Sequence, residues 1–245
     1  MTIVAFAGPS LPQGERAAFP EIDWRPPAEA GDLLRLAVGE RTVLCLIDGY
    51  FDHRPAVRHK ELLLLLSRGM PIYGAASIGA LRAAEMRTFG LIGIGAIFAA
   101  YARGSLTGDD EVALVHAGAE RGWRPLSVPL VDVRATLCAA RRARIVDARD
   151  ARAMLRAAAR IHYVDRQWGD VSGAIADAGR RGAFLAWLGA GAVSQKRADA
   201  LACLAAARRG AGTKAARPDM VWTCYVDSLA RECGVDPSSM RRSPS

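Results

Sequence analysis

Three short apolar runs near the start of the chain each end on small or polar residues, and this pattern constrains the fold more than any other feature. Thr2–Phe6 (TIVAF) closes on Gly8-Pro9-Ser10. Thr42–Ile47 (TVLCLI) closes on Asp48-Gly49, and Met70–Tyr73 closes on Gly74-Ala75-Ala76-Ser77. Runs of this length bounded by turn residues read as buried strands. Stretches with helical spacing follow them, over 57–67 (VRHKELLLLLS, ended by Arg68-Gly69) and 77–86. A further short strand is expected at 22–24 and a helix at 31–38. Strand and helix in alternation predict βαβ units and a parallel sheet covered on both faces, an α/β core. Ligands of such sheets bind outside the carboxyl ends of the strands. The three turns therefore predict one rim, with Gly8, Ser10, Asp48, Gly49, Gly74 and Ser77 on it.

Beyond residue 87 the pattern turns helical. Residues 126–131 (LSVPLV) read as an edge strand at best because of Pro129. Four or five helices are expected between 132 and 210, with Asp147 and Ser194 as N-caps. The expected organisation is an α/β core over 1–130 packed with a mostly helical region over 131–235, with no linker between them. The polar segment 236–245 is expected to be a disordered tail.

Half of the residues are hydrophobic, which is enough for a sizeable core, yet no apolar run reaches the roughly 18 residues of a membrane span. The segment MTIVAFAGPS lacks a basic stretch ahead of its apolar residues and reads as a strand rather than a secretory signal. The five cysteines are scattered, with no CxxC. That argues against disulfides and structural zinc, and for a cytoplasmic setting. The net charge of +8 owes much to arginines between 134 and 166. No basic cluster is interleaved with exposed aromatics, so solvated helix faces are expected rather than nucleic acid. The glycines at 90, 93 and 95 do not make G-x-G-x-x-G, and no P-loop occurs, so no cofactor is expected.

Ser77 falls where strand becomes helix. Ala75-Ala76-Ser77-Ile78-Gly79 differs from the nucleophile elbow G-x-S-x-G only in its first glycine. The Ile78 amide would face a developing oxyanion. The ordinary alternative is that the Ser77 side chain caps the helix. A serine nucleophile needs a base. His59 and His53 lie in the segment nearest the rim in sequence, and Lys60 is a third candidate. Asp48 could orient a base or hold an amine, or could serve only its Asp-Gly turn. Arg82 and Glu85 can pair across a helical turn, or Arg82 can receive an anion. Asp109-Asp110-Glu111 is read as helix capping rather than as a metal site, because consecutive side chains splay apart.

Four stretches carry a family resemblance: FAGPSL (6–11), LIDGYFDHRPAVRHKELLLLLSRGMPIYGAASIGALRAAEM (46–86), FGLIGIGAIFAAYARG (89–104) and DDEVALVH (109–116). In these the sequence resembles the TfuA-like protein family. The resemblance implies an accessory protein of thioamide formation. Such a protein works beside an ATP-dependent YcaO enzyme and releases sulfide from a thiocarboxylated, ubiquitin-fold sulfur carrier. It also allows a non-catalytic role, as a docking activator of the YcaO enzyme. The matching positions are Asp48, Gly49, His59, Lys60, Glu61, Gly74, Ser77, Gly79, Arg82 and Glu85. The family often carries a second serine before the one at 77, and here that position is Ala76. For thiocarboxylate hydrolysis Ser77 would be the nucleophile, with His59, Lys60 or His53 as base. Gly74, Ala75, Ala76 and Gly79 would form narrow walls for a glycine tail.

Overall fold

The computed structural model describes residues 2–36, 42–50, 54–210 and 217–241. Its centre is a five-stranded sheet made of β1 (Thr2–Phe6), β2 (Ile22–Arg25), β3 (Thr42–Leu46), β4 (Ile72–Gly74) and β5 (Ile92–Gly93). The order is β2-β1-β3-β4-β5, and every pairing is parallel. Ala5 aligns with Cys45, Cys45 with Tyr73, and Tyr73 with Ile92, so the carboxyl ends of β1, β3 and β4 reach the same edge. The expected rim exists.

Helices follow in the order α1 (Gln13–Arg16), α2 (His59–Ser67), α3 (Ile78–Met86) and α4 (Gly95–Ala102). The second half holds α5 (Leu130–Arg142), α6 (Ala148–Arg160), α7 (Trp168–Ser172), α8 (Ala178–Gly191) and α9 (Gln195–Arg209). Two more, α10 (Cys224–Glu232) and α11 (Pro237–Arg241), come after.

The strands alternate their side chains between two layers, as the pleat requires. Leu44 and Leu46 of β3 face Leu62, Leu65 and Leu66 of α2 and Ile78, Ala83 and Met86 of α3. Val43 and Cys45, with Ile47 beyond them, face the opposite layer, where they meet Ala200, Cys203, Leu204 and Ala207 of α9. Helices α5 to α8 enclose a separate core around Leu137, Met154 and Phe184. The third layer of the α/β core is thus a helix from the carboxy-terminal half, and α9 is as much part of the sheet as α2.

Some local expectations differ. Residues 31–35 form turns instead of a helix, and 37–41 lie outside the described residues. The segment 126–129 forms no strand, and α5 begins directly after Pro129. Asp109–Glu111 is one turn of 3₁₀ helix with no side-chain cap, so the expected capping by Asp109 or Asp110 does not occur. Asp147 and Ser194 do cap α6 and α9, through the amides of Asp150 and Arg197. Within the expected tail, 237–241 is helical with Met240 buried against α10, while 242–245 lie outside the described residues.

Candidate functional site

Asp48 leaves β3 at the rim and is almost wholly buried, at 1% exposure. Its carboxylate is received by the turn after β1. The amides of Gly8 and Ser10 donate to Oδ2 at 2.8 and 2.9 Å, and the Ser10 hydroxyl donates to Oδ1 at 2.6 Å. That turn is braced by Arg16. Its guanidinium donates to the carbonyls of Gly8 and Leu11 at 3.1 Å each and lies over the rings of Trp24 and Trp123. A Cβ on Gly8 would collide with Pro27 at 2.5 Å, so only glycine lets the chain approach this closely.

Ser77 follows a strained turn. The Ser77 amide donates to the Ala75 carbonyl at 2.8 Å, a γ-turn centred on Ala76, whose φ is +65°. Such a conformation costs an alanine on the order of 1–3 kcal/mol and is held only where the surroundings impose it. The residue with positive φ is Ala76, which explains why the first elbow glycine is dispensable at 75. The glycine at 79 is not dispensable, because its Cβ would lie 1.8 Å from the Leu46 carbonyl oxygen. Gly74 packs in the same seam, where a Cβ would meet the Gly79 carbonyl at 2.3 Å. Gly74 and Gly79 therefore bring α3 against β3 and β4. They pack in this seam, and neither lines the cavity that holds Ser77.

Ser77 occupies the N-cap position of α3 but makes no side-chain capping bond. Its hydroxyl instead meets Lys196 Nζ at 3.1 Å. Lys196 is the residue that sequence reasoning missed. Its ammonium also donates to the Val112 carbonyl at 2.8 Å and lies 3.8 Å from Asp48 Oδ1. The side chain is 3% exposed. Burial pushes the Lys196 pKa below the ordinary lysine value, opposed by the charges of Asp48 and Asp132. Asp132 also accepts from the Lys196 amide at 3.1 Å, fixing the first turn of α9. Asp199, one turn further along α9, accepts from the amides of Ala96 and Ile97 at the start of α4. The lysine is thus held at both its backbone and its ammonium.

Ser77, Lys196 and Asp48 line a cavity of about 190 Å³ together with Gly49, Tyr50, Arg54 and His116. Ala113 and Tyr163 also line it, and these two continue into an open cleft of about 780 Å³ that includes Ile78, Arg82, Glu85, Asp109 and Asp110. Gly49 fits tightly over Ile78 and the Ala28 carbonyl.

Two of the expected bases, His59 and Lys60, are elsewhere. His59 is exposed and bonds Glu85 at 2.8 Å, and Glu85 bonds Arg82 at 2.7 Å. With Arg82 also donating to the Val57 carbonyl, this trio ties the start of α2 to α3. Neither His59 nor Lys60 lines the Ser77 cavity. Their position at the start of α2 turns them away from the rim that adjacency in sequence suggested. His53 lies outside the described residues. Glu61, also in the matching motif, is buried, and it accepts from the amides of Gly31 and Arg58.

One signal could have found Lys196. Of the 33 basic residues only three are lysine, at 60, 196 and 214. Arginine stays protonated in proteins, whereas lysine changes pKa readily when buried. That leaves three lysines to weigh as candidate titratable amines.

Fold and site together define an α/β protein with a buried serine–lysine pair at the carboxyl rim of a parallel sheet. Residues 48–167, just under half of the chain, match the family model described as TfuA-like protein, which supports a TfuA-like protein. The matched segment holds Asp48 and Ser77, whereas Lys196 and the Gly8–Ser10 turn lie outside it. The family is associated with YcaO partners, which gives the chain an accessory role in thioamide formation. A search of curated proteins found no match.

Proposed function

We propose that this chain releases sulfide by hydrolysing the thiocarboxylate of a sulfur-carrier protein and supplies it to a YcaO partner. The observation that carries the proposal is the contact between the buried Lys196 amine and the Ser77 hydroxyl, 3.1 Å. Burial lowers the Lys196 pKa and so favours the neutral amine, the form that can take the serine proton. Ser77 Oγ attacks the acyl carbon, and its proton passes to Lys196 Nζ. The C–S bond breaks, Lys196 returns the proton to sulfur, and hydrosulfide leaves. Water then cleaves the acyl-serine with Lys196 again as base, giving the carboxylate and free Ser77. The Ile78 amide, at the first position of α3, receives the oxyanion with the helix N-terminus behind it. Arg54 adds positive charge to the cavity wall for an anionic thiocarboxylate. Asp48 holds Lys196 in place.

The test is intact-mass analysis of thiocarboxylated carrier incubated with the isolated chain, alongside sulfide detection. Ser77→Ala, with its melting curve preserved, and Lys196→Met, assayed at a temperature where it stays folded because it leaves Asp48 without its buried cation, are each expected to lose on the order of 10²-fold or more in turnover. Lys196→Arg is expected to be as inactive as Lys196→Met, because its charge cannot be given up. Full turnover by Ser77→Ala would refute the nucleophile. No turnover by the wild-type chain, together with stimulation of a YcaO enzyme, would leave the docking role.

A further inference from the structure

Helix α6 presents one charged face that the fold leaves unused. Its buried side is Ala151, Met154 and Ala158, packed into the core around Leu137 and Phe184. Arg149, Arg152, Arg156 and Arg160 are all exposed. Their spacing of three, four and four residues sets them in one file opposite that side, about 16 Å long. Asp147 and Asp150, at the start of the helix, pair with Arg180 of α8 instead. Among the described residues none of the four arginines has a carboxylate partner, whereas Arg134, Arg197 and Arg208 each have one. The file ends at the candidate site. His162 and Tyr163 follow Arg160 closely and line the open cleft that continues into the Ser77 cavity. Buried Arg166 holds this junction. It donates to the carbonyls of Ala158 and Ile161 at 2.9 and 3.1 Å and lies 3.9 Å from Asp110 of the cleft wall. Val164, in the same segment, is 40% exposed and adds an apolar spot beside the basic file.

We propose that the arginine file of α6 is the docking surface for an acidic face of the sulfur-carrier protein, whose carboxy-terminal tail then runs through the cleft to Ser77. The inference rests on the thiocarboxylate reading above for the identity of this partner. A protein that sends its tail down the cleft must rest its body at the mouth, where the file ends. An exposed apolar contact rimmed by charge suits such an interface. Arginine fits the task, because its planar fork pairs with carboxylates and keeps its charge. Glu85, Asp109 and Asp110 in the cleft wall would repel a nucleic-acid backbone but not the uncharged backbone of a glycine tail. Charges of this kind act on encounter and affinity rather than on the chemical step, and they fade with salt.

The test uses the full chain, a thiocarboxylated ubiquitin-fold carrier of negative net charge, and acetyl-glycyl-glycine thiocarboxylate as a probe without a body. Arg152→Glu with Arg156→Glu reverses the middle of the file at exposed positions, and melting curves check folding. It is expected to raise KM for the carrier about tenfold or more, with kcat and the small-probe value changed less than about twofold. Arg209→Glu with Arg231→Glu makes the same change in charge on α9 and α10 and is expected to leave KM near wild type. Binding of the carboxylate form of the carrier, followed by fluorescence anisotropy, reads the same surface without turnover. The α6 variant is expected to bind about tenfold more weakly, and raised salt should narrow the gap. Carrier binding by the α6 variant equal to wild type, or an equal loss in the α9–α10 variant, would overturn the inference and leave the proposed function standing. Hydrolysis of neither substrate by the wild-type chain, with carrier binding still lost in the α6 variant, would uphold the docking surface and overturn the serine–lysine chemistry. Tighter binding of a single-stranded RNA than of the carrier, or unchanged carrier binding with lost stimulation of a YcaO enzyme in the α6 variant, would give this face to another partner and overturn the inference.

Discussion

Glu61 shows how far burial can move one residue from its ordinary chemistry. It sits fully buried at the start of α2, where it accepts from the amides of Gly31 and Arg58. Burial raises its pKa from 4.5 to about 7, against the lowering effect of those amides. The folded chain thus holds this proton more tightly than the unfolded chain does. The stabilisation is complete below the unfolded value and is lost as pH rises through about 7. Thermal melts between pH 5 and 8 should show stability falling by roughly 2–3 kcal/mol from this group, and Glu61→Gln should flatten the dependence. An unchanged slope in the variant would remove Glu61 as its source. The motif around Glu61 was legible in the sequence. Its neighbours His59 and Lys60 show the limit of that legibility, because order along the chain does not say which side of a helix start faces the rim.

At the scale of elements, the decisive contact is α3 on the edge of β3 and β4. Gly74 and Gly79 allow it, and Ala76 in its γ-turn aims the next residue at the rim. Gly79→Ala places a Cβ 1.8 Å from a backbone carbonyl oxygen, which no side-chain motion relieves. The expected cost is at least about 1–3 kcal/mol, the usual range for overpacking, with a lowered Tm as the readout. A melting curve equal to wild type would refute the packing role. The sequence showed these glycines and their spacing, and the nucleophile-elbow pattern put Ser77 at the right turn. It could not separate a glycine that lines a cavity from one that lets two backbones touch. Both look alike until the partner atom is known.

At the scale of the molecule, α9 joins the two halves. It covers one face of the sheet with Ala200, Cys203, Leu204 and Ala207 and carries Lys196 to Ser77 at its first turn. Leu204 is fully buried in that layer. Leu204→Ala is expected to cost about 2–5 kcal/mol. Because α9 positions the lysine, the variant should also lose turnover at temperatures where it stays folded. Retained turnover would show that α9 can loosen without disturbing the pair. The sequence by itself determined the parallel sheet, the rim and the place of Ser77 and Asp48, because strand alternation, turn residues and helix spacing are local properties of the chain. Only the tertiary structure placed Lys196 beside Ser77. Ser77 and Lys196 are 119 residues apart. What brings them within 3.1 Å is the apolar face of α9 closing on the sheet, with Asp132 and Asp199 fixing where that helix begins. Burial at that position is also what lowers the lysine pKa, so its chemistry, like its location, comes from packing and not from its neighbours in sequence.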